Sequence, residues 1–179
     1  MPSRMFPFEG RAPRVDATTF VVGNATIIGD VVIGAESSVW YGVVIRGDVN
    51  FIRIGARTNV QDQTVVHVTH GTHPTFIEDE VTIGHAAVVH GCHVKRGALI
   101  GMGARVLDGA EIGEEALVGA GALVPPGLVV PPRTLVTGVP AKVRRDLTPD
   151  EVRSLAASAE HYVQLAHRYR AERAPRGGW

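Results

Sequence analysis

Aliphatic residues return at every sixth position along most of this chain. Val15, Val21, Ile27, Ile33, Val39, Ile45 and Phe51 form one unbroken run, and Ile54, Val60 and Val66 form a second. Ile77, Ile83 and Val89 form a third, followed by Val94, Ile100, Val106, Ile112, Val118, Val124, Val130 and Val136. The residue four places later is usually small or β-branched; in the last run it is Ala98, Ala104, Ala110, Ala116 and Ala122 in succession. A helix repeats at about 3.6 residues and a half-buried strand at about 2, so neither explains this spacing. A period of six fits a chain that turns a corner after each short strand. Three strands then make one coil of a triangular prism, with the aliphatic residue inward and the small residue near the corner. The twenty-one rungs amount to about seven coils. The expectation is an all-β fold, a parallel β-helix built by stacking.

Two interruptions break the period. Between Phe51 and Ile54 the register slips by three, with Phe51 still read as an inward rung. Between Val66 and Ile77 there are eleven residues instead of six, including His67, His70, Gly71, His73 and Pro74, and this excess should bulge from the prism as a loop. The repeat ends near Pro140. Thr148-Pro149-Asp150-Glu151 then reads as a helix start, with Thr148 as N-cap, Pro149 at the first helical position and Glu151 closing a capping box. Val152, Leu155, Ala156, Ala159, Tyr162, Val163, Ala166 and Tyr169 follow at helical spacing, so this helix should pack outside the prism or on a neighbour. Residues 1–143 are read as the solenoid, 144–174 as the helical segment and 175–179 as a disordered tail.

Composition narrows the function. In 179 residues, 18 Lys and Arg balance 18 Asp and Glu, which argues against a nucleic-acid partner needing a basic face. Aromatic residues are few, at 6%, so the core must be narrow and regular. The one cysteine, Cys92, excludes an internal disulfide framework and reads as structural. No apolar stretch approaches the ~20 residues of a membrane span, and residues 1–14 lack the apolar core of a secretory signal. The expectation is a soluble cytoplasmic protein with no membrane partner.

Six of the eight histidines fall between His67 and His93. Let Ile33, Val39 and Ile45 define faces a, b and c. Ile54, Val60 and Val66 occupy them one coil later, and Ile77, Ile83 and Val89 in the next. Arg46, His67 and His90 each follow an inward residue of face c, so they should stack in one outward column. Two imidazoles on one zinc hold their nitrogens roughly 3.3 Å apart, and side chains rooted about 4.8 Å apart on adjacent strands reach that spacing without strain. His85 lies two places after Ile83, beyond a corner, and points away from this column. A third ligand would then come from a neighbouring subunit, if three prisms pack around a threefold axis with face b against face c. His93, His161 and His167 read as surface or packing residues.

These residues closely resemble the gamma-class carbonic anhydrase family. The resemblance is carried by Arg46-Gly47-Asp48, Asn59-Val60-Gln61-Asp62, Val65-Val66-His67, Gly84-His85 and His90-Gly91, and covers residues 5–170. It implies a left-handed β-helix with a C-terminal helix, assembled as a homotrimer. It implies zinc, or iron or cobalt, held by His67 and His90 of one subunit and His85 of the next. A metal-bound hydroxide would hydrate carbon dioxide reversibly to bicarbonate, a lyase activity. Gln61 resembles the residue that hydrogen-bonds the metal-bound solvent, and Arg46 and Asp48 resemble a pair at the subunit interface. Tyr162-Val163-Gln164 stands where the family has Tyr-x-Asn, which marks Tyr162 and Gln164 as site residues.

The chain departs from the best-known active branch in its proton route. Val49 stands where an acidic residue follows the Arg-x-Asp motif, and loop 68–74 has no carboxylate. His70 or His73 is the candidate proton shuttle in its place, because imidazole titrates near neutrality. Three other functions compete: a catalytically weak metal-binding trimeric scaffold, a thioesterase-like hydrolase, and an acyltransferase on the same solenoid. Fold alone does not separate them.

Overall fold

A computed structural model describes residues 4–173. Its architecture is a parallel β-solenoid of about seven turns with a single C-terminal helix. The columns run as the six-residue period predicts. Ile33, Ile54, Ile77, Val94, Ile112 and Val130 stack along face a. Val39, Val60, Ile83, Ile100, Val118 and Val136 stack along face b. Ile27, Ile45, Val66, Val89, Val106 and Val124 stack along face c. Nearly all of these side chains are fully buried, and Ala98, Ala104, Ala110, Ala116 and Ala122 fill the space at the corners between them. Apolar burial along three continuous columns is the main favourable term. Hydroxyls close the corner between faces a and b, where Ser37 donates to the Gly55 carbonyl (2.8 Å) and Thr58 to that of Glu78 (2.7 Å). Among the described residues no buried side-chain nitrogen or oxygen lacks a partner.

The slip after Ile45 has a different form from the one expected. Phe51 is not an inward rung; Ile52 is, fully buried and paired with Val31. The reason is that Val44–Ile54 is one long strand that carries the chain around the corner from face c to face a. The pairing shifts register between Gly29 and Val31, and two-residue alternation counted back from Ile54 then turns Ile52 inward and Phe51 outward. Phe51 instead meets Phe76 edge-on at 5.4 Å, with the Arg53 guanidinium 4.6 Å above its ring. Because this strand and Thr26–Ile33 turn the corner, faces a and c form one 12-stranded sheet, and face b forms a separate 8-stranded sheet. The 8-stranded sheet ends in the antiparallel pair Thr134–Gly138 and Ala141–Asp146, the latter spanning the division drawn at 143/144.

The helix, Pro149–Arg173, opens with the expected capping box. The Thr148 amide donates to Glu151 Oε2 (2.8 Å) and the Glu151 amide to Thr148 Oγ1 (3.2 Å). The helix then runs back over face b toward the first coils. Leu155, Ala159, Val163 and Ala166 are buried against the sheet, whereas Ala156 is exposed. Its far end is anchored by aromatic rings: Trp40 meets Tyr162 at 5.6 Å and Tyr169 at 5.2 Å, both edge-on. Arg57 ties the middle of the helix to the a/b corner by pairing with Glu160 and, at 3.2 Å, with Glu36. No helix among the described residues is long and apolar enough to cross a membrane. Residues 175–179, expected as a disordered tail, lie outside the described residues.

Candidate metal centre

The face-c register sets His67 directly beside His90 on adjacent coils. Their rings converge, and His67 Nδ1 lies 3.1 Å from His90 Nε2. Each ring turns its other nitrogen to a carboxylate. His67 Nε2 is 3.2 Å from Asp48 Oδ1, and His90 Nδ1 is 2.5 Å from Asp108 Oδ1. Asp48 also receives the Arg46 guanidinium, so Arg46, Asp48 and His67 form a chain within one subunit. Burial raises the Asp48 carboxyl, but hydrogen bonds from Arg46 and His67 outweigh it and hold the group below the usual carboxylate range. Asp108 is held low in the same way, burial being outweighed by hydrogen bonds from Thr69 and His90. Burial is the largest influence on His67 and pushes its imidazole toward the neutral form.

This arrangement fits a metal by the chemistry of its donors. When His67 Nε2–H donates to Asp48 and His90 Nδ1–H donates to Asp108, the two facing nitrogens both carry lone pairs. Two lone pairs 3.1 Å apart repel, and a cation between them turns that repulsion into coordination. The spacing is close to the roughly 3.3 Å that two imidazoles take on tetrahedral zinc. Among the described residues of the single chain, however, no group of three or more His, Cys, Asp or Glu is arranged to hold a metal ion.

His85 stands elsewhere, on face b, with Nδ1 2.8 Å from Asp62 Oδ2. It borders a groove of about 470 Å³ that Gln61, Leu99, Met102, Leu117 and Tyr162 also line. Gly84, Gly101 and Gly119 also line it. A side chain at Gly101 would start 2.5 Å from the Ala120 nitrogen of the next coil, so this position is confined to glycine. Gln61 is buried, and its Nε2 donates to Asn59 Oδ1 (3.0 Å), whose own amide donates to Thr82 Oγ1 (2.9 Å). Tyr162 is half-buried, and burial followed by the Asp62 charge raises its hydroxyl, keeping it a donor. Gln164 is exposed, donates to Glu160 Oε1 (2.7 Å) and does not line the groove.

Loop 68–74 does bulge from the prism between Val66 and Ile77, closed by a bridge between Thr69 and His73. His70 is exposed at its tip, and His73 lies against Gly91, the residue after His90. His93 pairs with Glu78 (2.6 Å) beside a cavity of about 560 Å³ on face a, and His167 pairs with Glu36 (3.7 Å). Cys92 is buried, which pushes its thiol up to about 12. Asp108, Thr69 and Trp40 have structural parts that pattern reading missed. The available signal for Asp108 was its register, two places past Val106 on the coil after His90.

No protein-family model matches the chain. The chain is 46% identical over 167 residues to a carbonic anhydrase of Geobacillus kaustophilus, covering 93% of this chain and 91% of that protein. It is also 46% identical over 169 residues to the mitochondrial gamma carbonic anhydrase 1 of Arabidopsis thaliana, covering 92% of this chain and 62% of that longer protein. The chain belongs to the gamma-class carbonic anhydrase-like hexapeptide-repeat family. Among solved structures, this family member is similar to a hexapeptide transferase family protein from Anaplasma phagocytophilum. That match has a TM-score of 0.90 at 44% identity and covers 94% of this chain and 99% of the other. The gamma carbonic anhydrase-like family is typically metal-dependent, which agrees with the donor chemistry of His67 and His90.

Proposed function

We propose that the protein is a carbonic anhydrase that interconverts carbon dioxide and bicarbonate as a homotrimer. Each interface would hold zinc, or iron or cobalt, through His67 and His90 of one subunit and His85 of the next. The 3.1 Å approach of His67 Nδ1 to His90 Nε2 carries this reading. Family membership supports it, as does His85 standing in a groove open at the surface of a different face.

When bound, the metal supplies a Lewis acid that lowers the pKa of a water to about 7. The chain's own residues do the rest. Asp48 and Asp62 hold the rings of His67 and His85, as carboxylates beside ligand histidines generally do. Gln61, held by Asn59, offers its amide to the reacting oxygen, and Tyr162 donates its hydroxyl from the groove wall. Arg46, paired to Asp48, contributes positive charge beside the anionic product. His70 and His73, on the loop leaving His67, carry the released proton to solvent. Gln164 has no step in this route.

Stopped-flow carbon dioxide hydration by the metal-reconstituted protein tests the reading, with His90→Ala as control. Activity that disappears in the variant is the expected result. Background rates with metal bound at about one per chain would leave a metal-held scaffold or a hydrolase of thioesterase type. The apolar walls of the His85 groove and the transferase name of the Anaplasma phagocytophilum protein favour a second reading, acyl transfer. Acetyl-CoA binding without bound metal would support it instead. Unchanged buffer-dependent turnover after replacing both His70 and His73 by Ala would remove them as shuttles.

A further inference from the structure

Asp108 and Thr69 are 39 residues apart in sequence, yet they meet at the back of His90. His90 Nδ1 donates to Asp108 Oδ1 at 2.5 Å, and Thr69 Oγ1 donates to Asp108 Oδ2 at 2.7 Å. Both oxygens of one carboxylate are therefore engaged, one by the ring and one by the loop. Thr69 is itself held on two sides. Its amide donates to the His73 carbonyl at 3.0 Å, and its carbonyl accepts from Asn50 Nδ2 at 3.0 Å. The loop that leaves His67 is thus clamped onto the coil beyond His90.

The two ring nitrogens of a histidine are coupled: the one that donates a proton leaves the other a lone pair. Whether Nε2 of His90 faces His67 as a lone pair or as an N–H is decided at Nδ1. Asp108 is the group at Nδ1. We infer that Asp108 is a positioning residue that fixes the ring and tautomer of His90, and that Thr69 holds Asp108 in place for this task. The inference rests on the metal-site reading above and adds to it a residue from a coil that supplies no ligand. It also gives loop 68–74 a part besides proton transfer, since Thr69 couples the loop to a ligand.

The test uses the full-length protein and three variants, Asp108→Ala, Asp108→Asn and Thr69→Val. Zinc affinity is read by competition with a chromophoric chelator. The tautomer of His90 is read separately, from the ring nitrogen signals of histidine-labelled, metal-free protein by NMR. Asp108→Ala should weaken zinc about 10–100-fold, the usual loss for a carboxylate behind a ligand histidine, and should lose the dominance of the Nδ1–H form. Asp108→Asn keeps an oxygen acceptor for Nδ1–H and should recover most of both. Thr69→Val should give a smaller loss of affinity with the same tautomer. An unchanged tautomer in Asp108→Ala overturns the inference, whether or not affinity falls. Should Asp108→Ala fail to fold, Asp108→Asn and Thr69→Val decide it: zinc affinity unchanged in Thr69→Val, or as poor in Asp108→Asn as in His90→Ala, overturns it. Wild-type protein that binds zinc but does not hydrate carbon dioxide would sink the proposed activity and leave the role of Asp108 standing.

Discussion

His67 Nδ1 and His90 Nε2 face each other across 3.1 Å because the register pairs the two residues on neighbouring strands. Their other nitrogens are occupied by Asp48 and Asp108. With those nitrogens as the donors, a metal cation held between the facing lone pairs replaces their repulsion with coordination, so metal binding should be linked to stability. Zinc at a hundred times its Kd should add about 2.7 kcal/mol to unfolding. The rise in Tm on adding zinc measures it, and chelation should reverse it. His67→Ala should abolish the increment. An equal rise in that variant would place the metal somewhere else.

Gly91 follows His90, the proposed metal ligand, and has a φ of +55°. That conformation alone does not require glycine here, because Ala86 adopts a φ of 55° in the same protein. What differs is the space. A Cβ on Gly91 would lie 2.8 Å from the His73 Cβ and against Asp108 Oδ1. Gly91→Ala should therefore push out the loop and the carboxylate together, weakening zinc and costing about 1–3 kcal/mol. Gly103→Ala is the control, since its φ is +67° but no atom stands within 4 Å of the added Cβ. Denaturant unfolding and protease nicking of loop 68–74 compare the two. Equal effects in both variants would show that backbone conformation, not contact, sets the cost.

The six-residue period made the three columns legible, because an inward aliphatic residue recurs at one place per strand. It also made the His67–His90 pair legible, since each follows an inward residue of face c. It failed at Phe51, where one long strand rounds a corner and two-residue alternation replaces the hexapeptide count. Asp108 escaped for another reason. Its contact with Thr69 depends on the path of an eleven-residue excursion, and a periodic count says nothing about where a non-periodic loop folds back. The His85 groove was hidden likewise, because one wall is the returning helix, and spacing alone does not say which sheet face the helix covers.

Cys92, two places after His90, is buried in the core. Burial pushes its thiol up to about 12, so almost no thiolate exists near neutral pH. The thiolate is the reactive form. Folded protein should therefore be silent toward a thiol-specific disulfide reagent at pH 8 and react fully after denaturation. Rapid labelling of the native state would mean that this part of the solenoid opens readily.

The helix start should respond to acid through Glu151. Arg145 Nη1 donates to Glu151 Oε2 at 2.7 Å, and the Thr148 amide donates to the same oxygen at 2.8 Å. The Arg145 hydrogen bond is the larger cause, and together they bring the carboxyl down from 4.5 to about 2. A carboxyl whose pKa is lower in the folded state favours folding wherever it is ionised. Its contribution is complete above the unfolded value near 4.5 and is lost as pH falls toward 2. The pair is at the surface, where solvent screens it, so the effect should be modest. In metal-free protein, the helical circular dichroism should melt at a lower temperature in Glu151→Gln than in wild type at pH 7. The gap between them should narrow across the window from pH 4.5 to 2 and close at its lower end. Two melting profiles that run parallel through that window would show that Arg145 and Thr148 do not hold the start of the helix through this carboxylate.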